Sequence, residues 1–348
     1  MEFVEGDFGM AIFGIPDGLN SPGNVGCAKS PDLIRSYLYG MRKHSSSKGI
    51  LDLGNVLGNS VKDRYWAVKE TVEALVETGI PVLVLGGGQD YSIPIYNALI
   101  QNNPNVRLCV VDATIDHVEE KENLTSQNFF GTLLNSYGSS LGPLSFLGIQ
   151  KYYVGDGAAE ILEHPETECL RLGDLRGDAI IEAEPLLRDT HFVSFDSMCM
   201  KCSDMPGQTM AMPNGFSSNE ACQLAWYAGI SDLNQIMGLF EINPDKDDSG
   251  VSVALAAQMG WFYIEGIFSR YGDYPERDIN SYSVYNLDRE EYGLPIRFFH
   301  NAVNGRWWVE FESGKGKIVK PCSERDYRMA TESEIPDKWW KKIIVKED

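Results

Sequence analysis

Residues 10–15, 81–85, 106–111 and 190–196 are short, nearly continuous apolar runs, each bounded by turn formers. Runs of this length suit parallel strands covered on both faces. Between them the apolar period changes. Over 63–79, Trp66, Val68, Val72, Leu75 and Val76 recur roughly at helical spacing, and 219–229 reads as a second amphipathic helix. Strands alternating with helices predict a three-layer, doubly wound α/β fold around a mostly parallel sheet. The pattern shifts near residue 282. Residues 283–348 hold several strand-like pieces, Trp307, Trp308, Trp339 and Trp340, and a basic tail from 338. Four Trp side chains are too apolar to leave exposed. We therefore expect an α/β domain over 1–282 and a C-terminal extension over 283–348 packed on it, with a separate mini-domain as the alternative.

Composition narrows the function classes. The 348 residues carry 30 Lys and Arg against 50 Asp and Glu, a formal charge of −20. Affinity for phosphates comes mainly from basic side chains, so no nucleic-acid partner is expected. With 43% hydrophobic and only 23% charged residues, the chain has the means to build a large core. No run of 18 apolar residues occurs, so no membrane span is expected. The first ten residues include Glu2, Glu5 and Asp7, where a secretion signal needs positive charge. Seven cysteines, an odd number, then read as reduced thiols in the cytoplasm.

Polar residues gather at three strand ends: Gly86-Gly87-Gly88-Gln89-Asp90, Asp112-Ala113-Thr114-Ile115-Asp116-His117, and Ser194-Phe195-Asp196-Ser197-Met198. In open α/β sheets the functional crevice lies at the carboxyl ends of the strands. On a continuing strand Asp112, Thr114 and Asp116 would point the same way, with His117 on the opposite face as a structural histidine. One such Asp is ordinary turn or capping chemistry. Three strand ends together point to a cation, because buried carboxylates must be paired, hydrogen-bonded or metal-bound.

These segments resemble the arginase, agmatinase and formimidoylglutamase family, the manganese ureohydrolases. That family carries Gly-Gly-Asp-His, Asp-Ala-His-x-Asp and Ser-Phe-Asp-x-Asp at the corresponding strand ends. The segments Ala11–Pro16 with Pro31–Arg35, Ser203–Gly207, and Gly238–Pro244 resemble its first strand and helix, its Asp-Ala-Pro-Gly loop and its late Glu-x-Asn-Pro strand. The resemblance runs over about residues 8–275 and implies an arginase-like fold. The extension resembles that of a formimidoylglutamase-like branch. Family members often assemble as trimers, hexamers or dimers, so a homo-oligomer is implied.

Carried over by position, the family's ligands are altered here. One manganese would be held by Gln89, Asp112, Asp116 and Asp196. That set is oxygen-rich and suits one Mn²⁺ or Mg²⁺. The second would share Asp112 and Asp196 but has Thr114 and Met198 as its own ligands, a hydroxyl and a thioether poorly matched to Mn²⁺. Glu241 corresponds to the residue that faces the amidine or guanidinium end of the substrate. Ser126 and Asn128 lie in the substrate-recognition loop and could hold a ligand carboxylate.

Two readings follow. The first is a ureohydrolase-family protein with a degenerate two-metal site, binding one cation or none, and acting through an amidine, guanidine or amino-acid-like ligand or a protein partner. The second is a working hydrolase of linear amidines or guanidines, using one metal or an altered pair. Separately, Met198, Cys199, Met200, Cys202, Met205, Met210 and Met212 form a sulfur-rich segment. Packing is its ordinary explanation, and soft-metal binding at Cys199 and Cys202 is the alternative.

Overall fold

The computed structural model describes residues 7–117, 123–163, 167–287, 296–313 and 316–332. Its centre is an eight-stranded sheet. The strands are β1 (Phe8–Gly14), β2 (Gly49–Asn55), β3 (Val82–Leu85), β4 (Leu108–Val111), β5 (Leu144–Ile149), β6 (Thr167–Arg171), β7 (Phe192–Asp196) and β8 (Ile236–Phe240). They run in the spatial order β2-β1-β3-β8-β7-β4-β5-β6, and every pairing is parallel.

The predicted runs fell on β1, β3, β4 and β7, four strands that are almost wholly buried. Successive side chains alternate between two cores. Met10, Ile12, Leu83, Leu85, Cys109, Val111, Val193 and Phe195 enter the first core. Ala11, Phe13, Val82, Val84, Leu108, Val110 and Phe192 enter the second. Both faces are therefore dry, which is why the sequence shows apolar runs and not alternation.

Helices α1 (Ser30–Leu38), α6 (Glu184–Arg188), α7 (Ser218–Gly229) and α8 (Val251–Phe268) cover the first face. Helices α2 (Val61–Glu77), α3 (Ser92–Asn102), α4 (Phe129–Tyr137) and α5 (Asp156–Glu163) cover the second. Helix α2 starts two residues earlier than predicted, after a capping box between Ser60 and Asp63. Its buried stripe is Val68, Val72 and Leu75, whereas Trp66 is exposed and lies against the Lys69 ammonium.

Helix α8 was not among the helices the sequence predicted. It is 18 residues long with a mean hydropathy of 1.3, enough by length and composition to cross a membrane. Interruption by Ser, Gln, Gly and Glu hid it from a search for unbroken apolar runs. It packs between α7, α1 and the sheet, and 61% of it is buried in the protein.

The extension forms an antiparallel sheet, β9 (Ser283–Leu287), β10 (Ile296–His300), β11 (Trp307–Ser313) and β12 (Gly316–Cys322), followed by α9 (Glu324–Glu332). Trp307 and Trp308 are buried on opposite faces of this sheet. Trp339, Trp340 and the basic tail lie outside the described residues. Arg188 of α6 reaches across to donate to the carbonyls of Trp307 and Cys322, at 2.9 and 3.2 Å, with its guanidinium over the Trp308 ring. Arg306 sits between Asp273 (2.7 Å) and Glu184 (3.2 Å), closing a buried ionic network at the junction.

Candidate metal centre

Strands β3, β8, β7 and β4 are consecutive neighbours, and their carboxyl ends deliver Gln89, Glu241, Asp196 and Asp112 in that spatial order. The crevice is thus built by topology. After β3 the chain must turn sharply, and Gly86 and Gly87 do so with φ of +72° and +79°.

Asp112, Asp116 and Asp196 each place a carboxylate oxygen within 4.8 Å of the others. Among the described residues this is the one group of three or more His, Cys, Asp or Glu side chains close enough to share a cation. Strand β4 ends at Val111, so Asp112 and Asp116 meet through a loop and not through strand parity. Thr114, which parity would have aimed at them, instead donates its hydroxyl to the Tyr153 carbonyl at 3.1 Å. Met198 sits on the 3₁₀ turn after β7, its backbone N–H donating to Asp196 Oδ1 at 2.6 Å. His117 is partly buried, and its Nδ1 has no hydrogen-bond partner among the described residues.

Gln89 is fully buried, and its side-chain amide meets this pocket differently in its two orientations. With nitrogen inward it donates to Asp196 Oδ2 (3.0 Å) and Asp116 Oδ2 (3.1 Å), and its oxygen accepts from Ser194 Oγ (3.1 Å). With oxygen inward, the nitrogen donates to Ser194 Oγ at 3.1 Å. The amide oxygen then faces two carboxylate oxygens, which is repulsive unless a cation lies between them. Contacts of 3.0 and 3.1 Å are close to the edge of an octahedron with metal–oxygen bonds of about 2.1 Å. The donor set, three carboxylates and one amide oxygen, fits one hard divalent ion.

Electrostatics agree. Burial pushes the carboxyls of Asp112, Asp116 and Asp196 well above the ordinary range, and neighbouring carboxylates, Glu241 among them, push further. Arg64 pairs with Asp17, yet among the described residues no Lys or Arg pairs with Asp90, Asp112, Asp116, Asp196 or Glu241. Five crowded carboxylates without a basic partner require protons, a cation or a cationic ligand.

Glu241 follows β8 with φ of 61°, a left-handed conformation that costs a non-glycine residue about 1–3 kcal/mol. Hydrogen bonds hold it there. Its N–H donates to Gly87 O at 3.0 Å, and its carbonyl accepts from Asn24 Nδ2 and Ser197 Oγ, both at 2.9 Å. Its carboxylate accepts from Ser21 Oγ (2.7 Å), the Gln89 N–H (2.9 Å), Asn24 Nδ2 (2.8 Å) and Thr209 Oγ1 (3.3 Å).

In the loop after β4, Asn128 spends its amide on Thr125 N–H and Asn123 O, at 2.8 and 3.0 Å, so it caps the loop. Ser126 is buried, and its hydroxyl makes no hydrogen bond among the described residues. Sequence reasoning missed Ser21, Asn24, Ser194 and Gln208. The first two lie in the loop after β1, where position at a strand end was the available signal. Gln208 ties the loop after β7 by donating to Ser197 O and Met200 O at 2.8 and 2.6 Å. In the sulfur-rich segment, Met200 and Met205 belong to the first core, and Cys199 is buried beside Asp112 and Asp196, which with burial push its thiol up.

Comparison with known proteins agrees with this architecture. The family model "Arginase family" matches residues 8–264. A formimidoylglutamase of Enterobacter sp. (strain 638) is 23% identical over 270 residues, covering 74% of this chain and 86% of its own. The Trypanosoma cruzi formiminoglutamase structure with Mn²⁺ superposes with a TM-score of 0.71 at 23% identity, covering 78% of this chain and 97% of that one. The agmatine ureohydrolase structure of Thermoplasma volcanium does so with a TM-score of 0.63 at 20% identity, covering 75% and 90%. Matched over most of its α/β domain, the chain belongs to the arginase family, with formimidoylglutamases among its relatives.

Proposed function

We propose that this chain is a one-cation member of the family. Gln89, Asp112, Asp116 and Asp196 would hold a single Mn²⁺ or Mg²⁺, and the pocket beside them would receive a small amidine-, guanidine- or formimino-bearing ligand. The observation that carries the reading is the Gln89 amide. It fits a cation with its oxygen inward and satisfies the same carboxylates with its nitrogen inward. When bound, the cation would lower the pKa of a water it holds. The chain's residues would set the ligand against it. Glu241, held by four donors, would supply negative charge toward a ligand amidinium, and the Ser126 hydroxyl, which makes no hydrogen bond among the described residues, would face its far end.

Hydrolysis in the resembled enzymes rests on a pair of metals. Here the second pair of positions holds Thr114, bonded to Tyr153, and Met198. That supports weak or absent turnover, with the protein acting through what it binds. A working hydrolase is the second reading, favoured by the five unpaired carboxylates, which could hold further charge.

Turnover of formimino and guanidino amino acids with added Mn²⁺, measured beside equilibrium binding of the same compounds, separates the two. Binding that depends on the cation, with negligible ammonia or urea release, supports the first reading. Appreciable turnover overturns it.

A further inference from the structure

Gly88 and Asp90 compete for one volume. Gly88 has φ −74° and ψ 153°, an extended backbone any residue adopts, so its conformation does not call for glycine. Space does. A Cβ at 88 would lie 2.2 Å from Asp90 Oδ1, 2.3 Å from Ser21 Oγ and 3.3 Å from Glu241 Oε1. Asp90 folds back from the turn after Gln89 and fills the room a side chain at 88 would take.

From there its two oxygens differ. Oδ2 accepts from the Tyr65 hydroxyl, which accepts from Asn20 Nδ2 at 2.7 Å. The Asn20 carbonyl in turn accepts from the Ser126 N–H at 2.9 Å. Oδ1 is buried and has no partner among the described residues. An unsatisfied buried carboxylate oxygen is costly, so a site that keeps one has a use for it.

We propose that Asp90 is a positioning residue, a carboxylate relocated by two positions that couples the Gln89 turn to the recognition loop through Tyr65 and Asn20. The motif comparison is consistent with this, since the family pattern Gly-Gly-Asp-His places its aspartate where this chain has Gly88. The inference deepens the one-cation reading and rests on it for the role of Gln89.

The test is a four-variant cycle: the parent, Asp90→Ala, Gly88→Asp, and the double variant. Tm in chelator and Mg²⁺ or Mn²⁺ affinity by calorimetry are read for each. Asp90→Ala removes the acceptor for Tyr65, and Gly88→Asp collides with Asp90, so each single variant is expected to lose at least about 3 °C. Each is also expected to bind the cation about tenfold more weakly, the usual scale for a lost supporting partner. The double variant, with one carboxylate in the shared volume, is expected to recover at least half of both losses. Asp90→Asn keeps an acceptor for Tyr65 and should hold cation affinity within about threefold of the parent. Parent-like behaviour of Asp90→Ala, or a double variant no better than the worse single one, would overturn the proposal. If the parent takes up no cation, the one-cation reading fails, while the Tm cycle in chelator still tests the Gly88–Asp90 exchange.

Discussion

The Gln89 amide lies 3.0 Å from Asp196 Oδ2, at the meeting point of the ends of β3 and β7, and its other end is 3.1 Å from the Ser194 hydroxyl. A half-turn about the last side-chain bond exchanges donor for acceptor at both contacts. Ser194 can follow, because its hydroxyl also contacts Ser92 Oγ at 2.8 Å, where either partner can donate. An imidazole cannot make this exchange without changing protonation or tautomer. Without a cation only the nitrogen-inward orientation satisfies the pocket, and the one-cation proposal assigns the oxygen-inward orientation to the metal-bound protein.

Substituting Gln89 separates those states. Gln89→Leu removes both the inward donor and the ligand oxygen. It is expected to destabilise the metal-free protein by about 1–3 kcal/mol and to weaken divalent-cation binding at least tenfold. Gln89→Glu adds a fourth charge, so its metal-free stability should fall further while its cation affinity rises. Denaturant unfolding with and without chelator, together with calorimetric titration, reads both.

Stability should depend on pH with a definite sign. The carboxyls of Asp112, Asp116 and Asp196 titrate well above the ordinary range in the fold, and burial pushes Asp90 up to about 7. The folded state thus holds more protons than the unfolded chain, and stability falls as pH rises. The window opens near the unfolded value of about 4 and runs past pH 7. Divalent cations replace those protons, so the Tm gain from Mn²⁺ or Mg²⁺ should grow over the same window. Thermal scans from pH 5 to 8 in chelator and in excess cation check the sign.

Restoring the resembled ligands should change stoichiometry. The triple variant Gln89→His, Thr114→His, Met198→Asp supplies the second metal's own ligands. It is expected to bind two Mn²⁺ where the parent binds one. The 114 substitution must also break the Thr114 bond to Tyr153, so Thr114→His alone should cost stability before it gains metal. Elemental analysis of single and triple variants resolves the order.

The extension's attachment is testable apart from the site. Arg306→Met removes the buried guanidinium shared by the half-buried Asp273 and Glu184, leaving Asp273 without its ion-pair partner while Glu184 keeps Arg188. Breaking one side of a buried ion pair costs about 3–5 kcal/mol, and the loss should appear as an earlier unfolding transition with the α/β helix signal retained.

Much of this was legible in the sequence, for identifiable reasons. Strands buried on both faces write themselves as apolar runs, so β1, β3, β4 and β7 could be placed within two residues at either end. Asp112 and Asp196 stand just at strand ends, a fixed place in an α/β sheet, whereas Gln89 and Asp116 were singled out by the family resemblance; the structure brings the three aspartates together. The direction of Thr114 was not, because it depends on β4 stopping at Val111 and on a carbonyl at Tyr153 that is remote in sequence. Ser21 and Asn24 were missed for a similar reason: their partner, Glu241, is 220 and 217 residues away. Helix α8 was overlooked because scattered polar residues broke the apolar count without breaking the helix.

Metal content per chain tests the central claim most directly. The protein would be loaded with Mn²⁺ or Mg²⁺, freed of unbound ion and measured by elemental analysis. The one-cation account predicts a single ion per chain, lost on substitution of Gln89 or Asp116. Two ions per chain in the unmodified protein would contradict it, as would none.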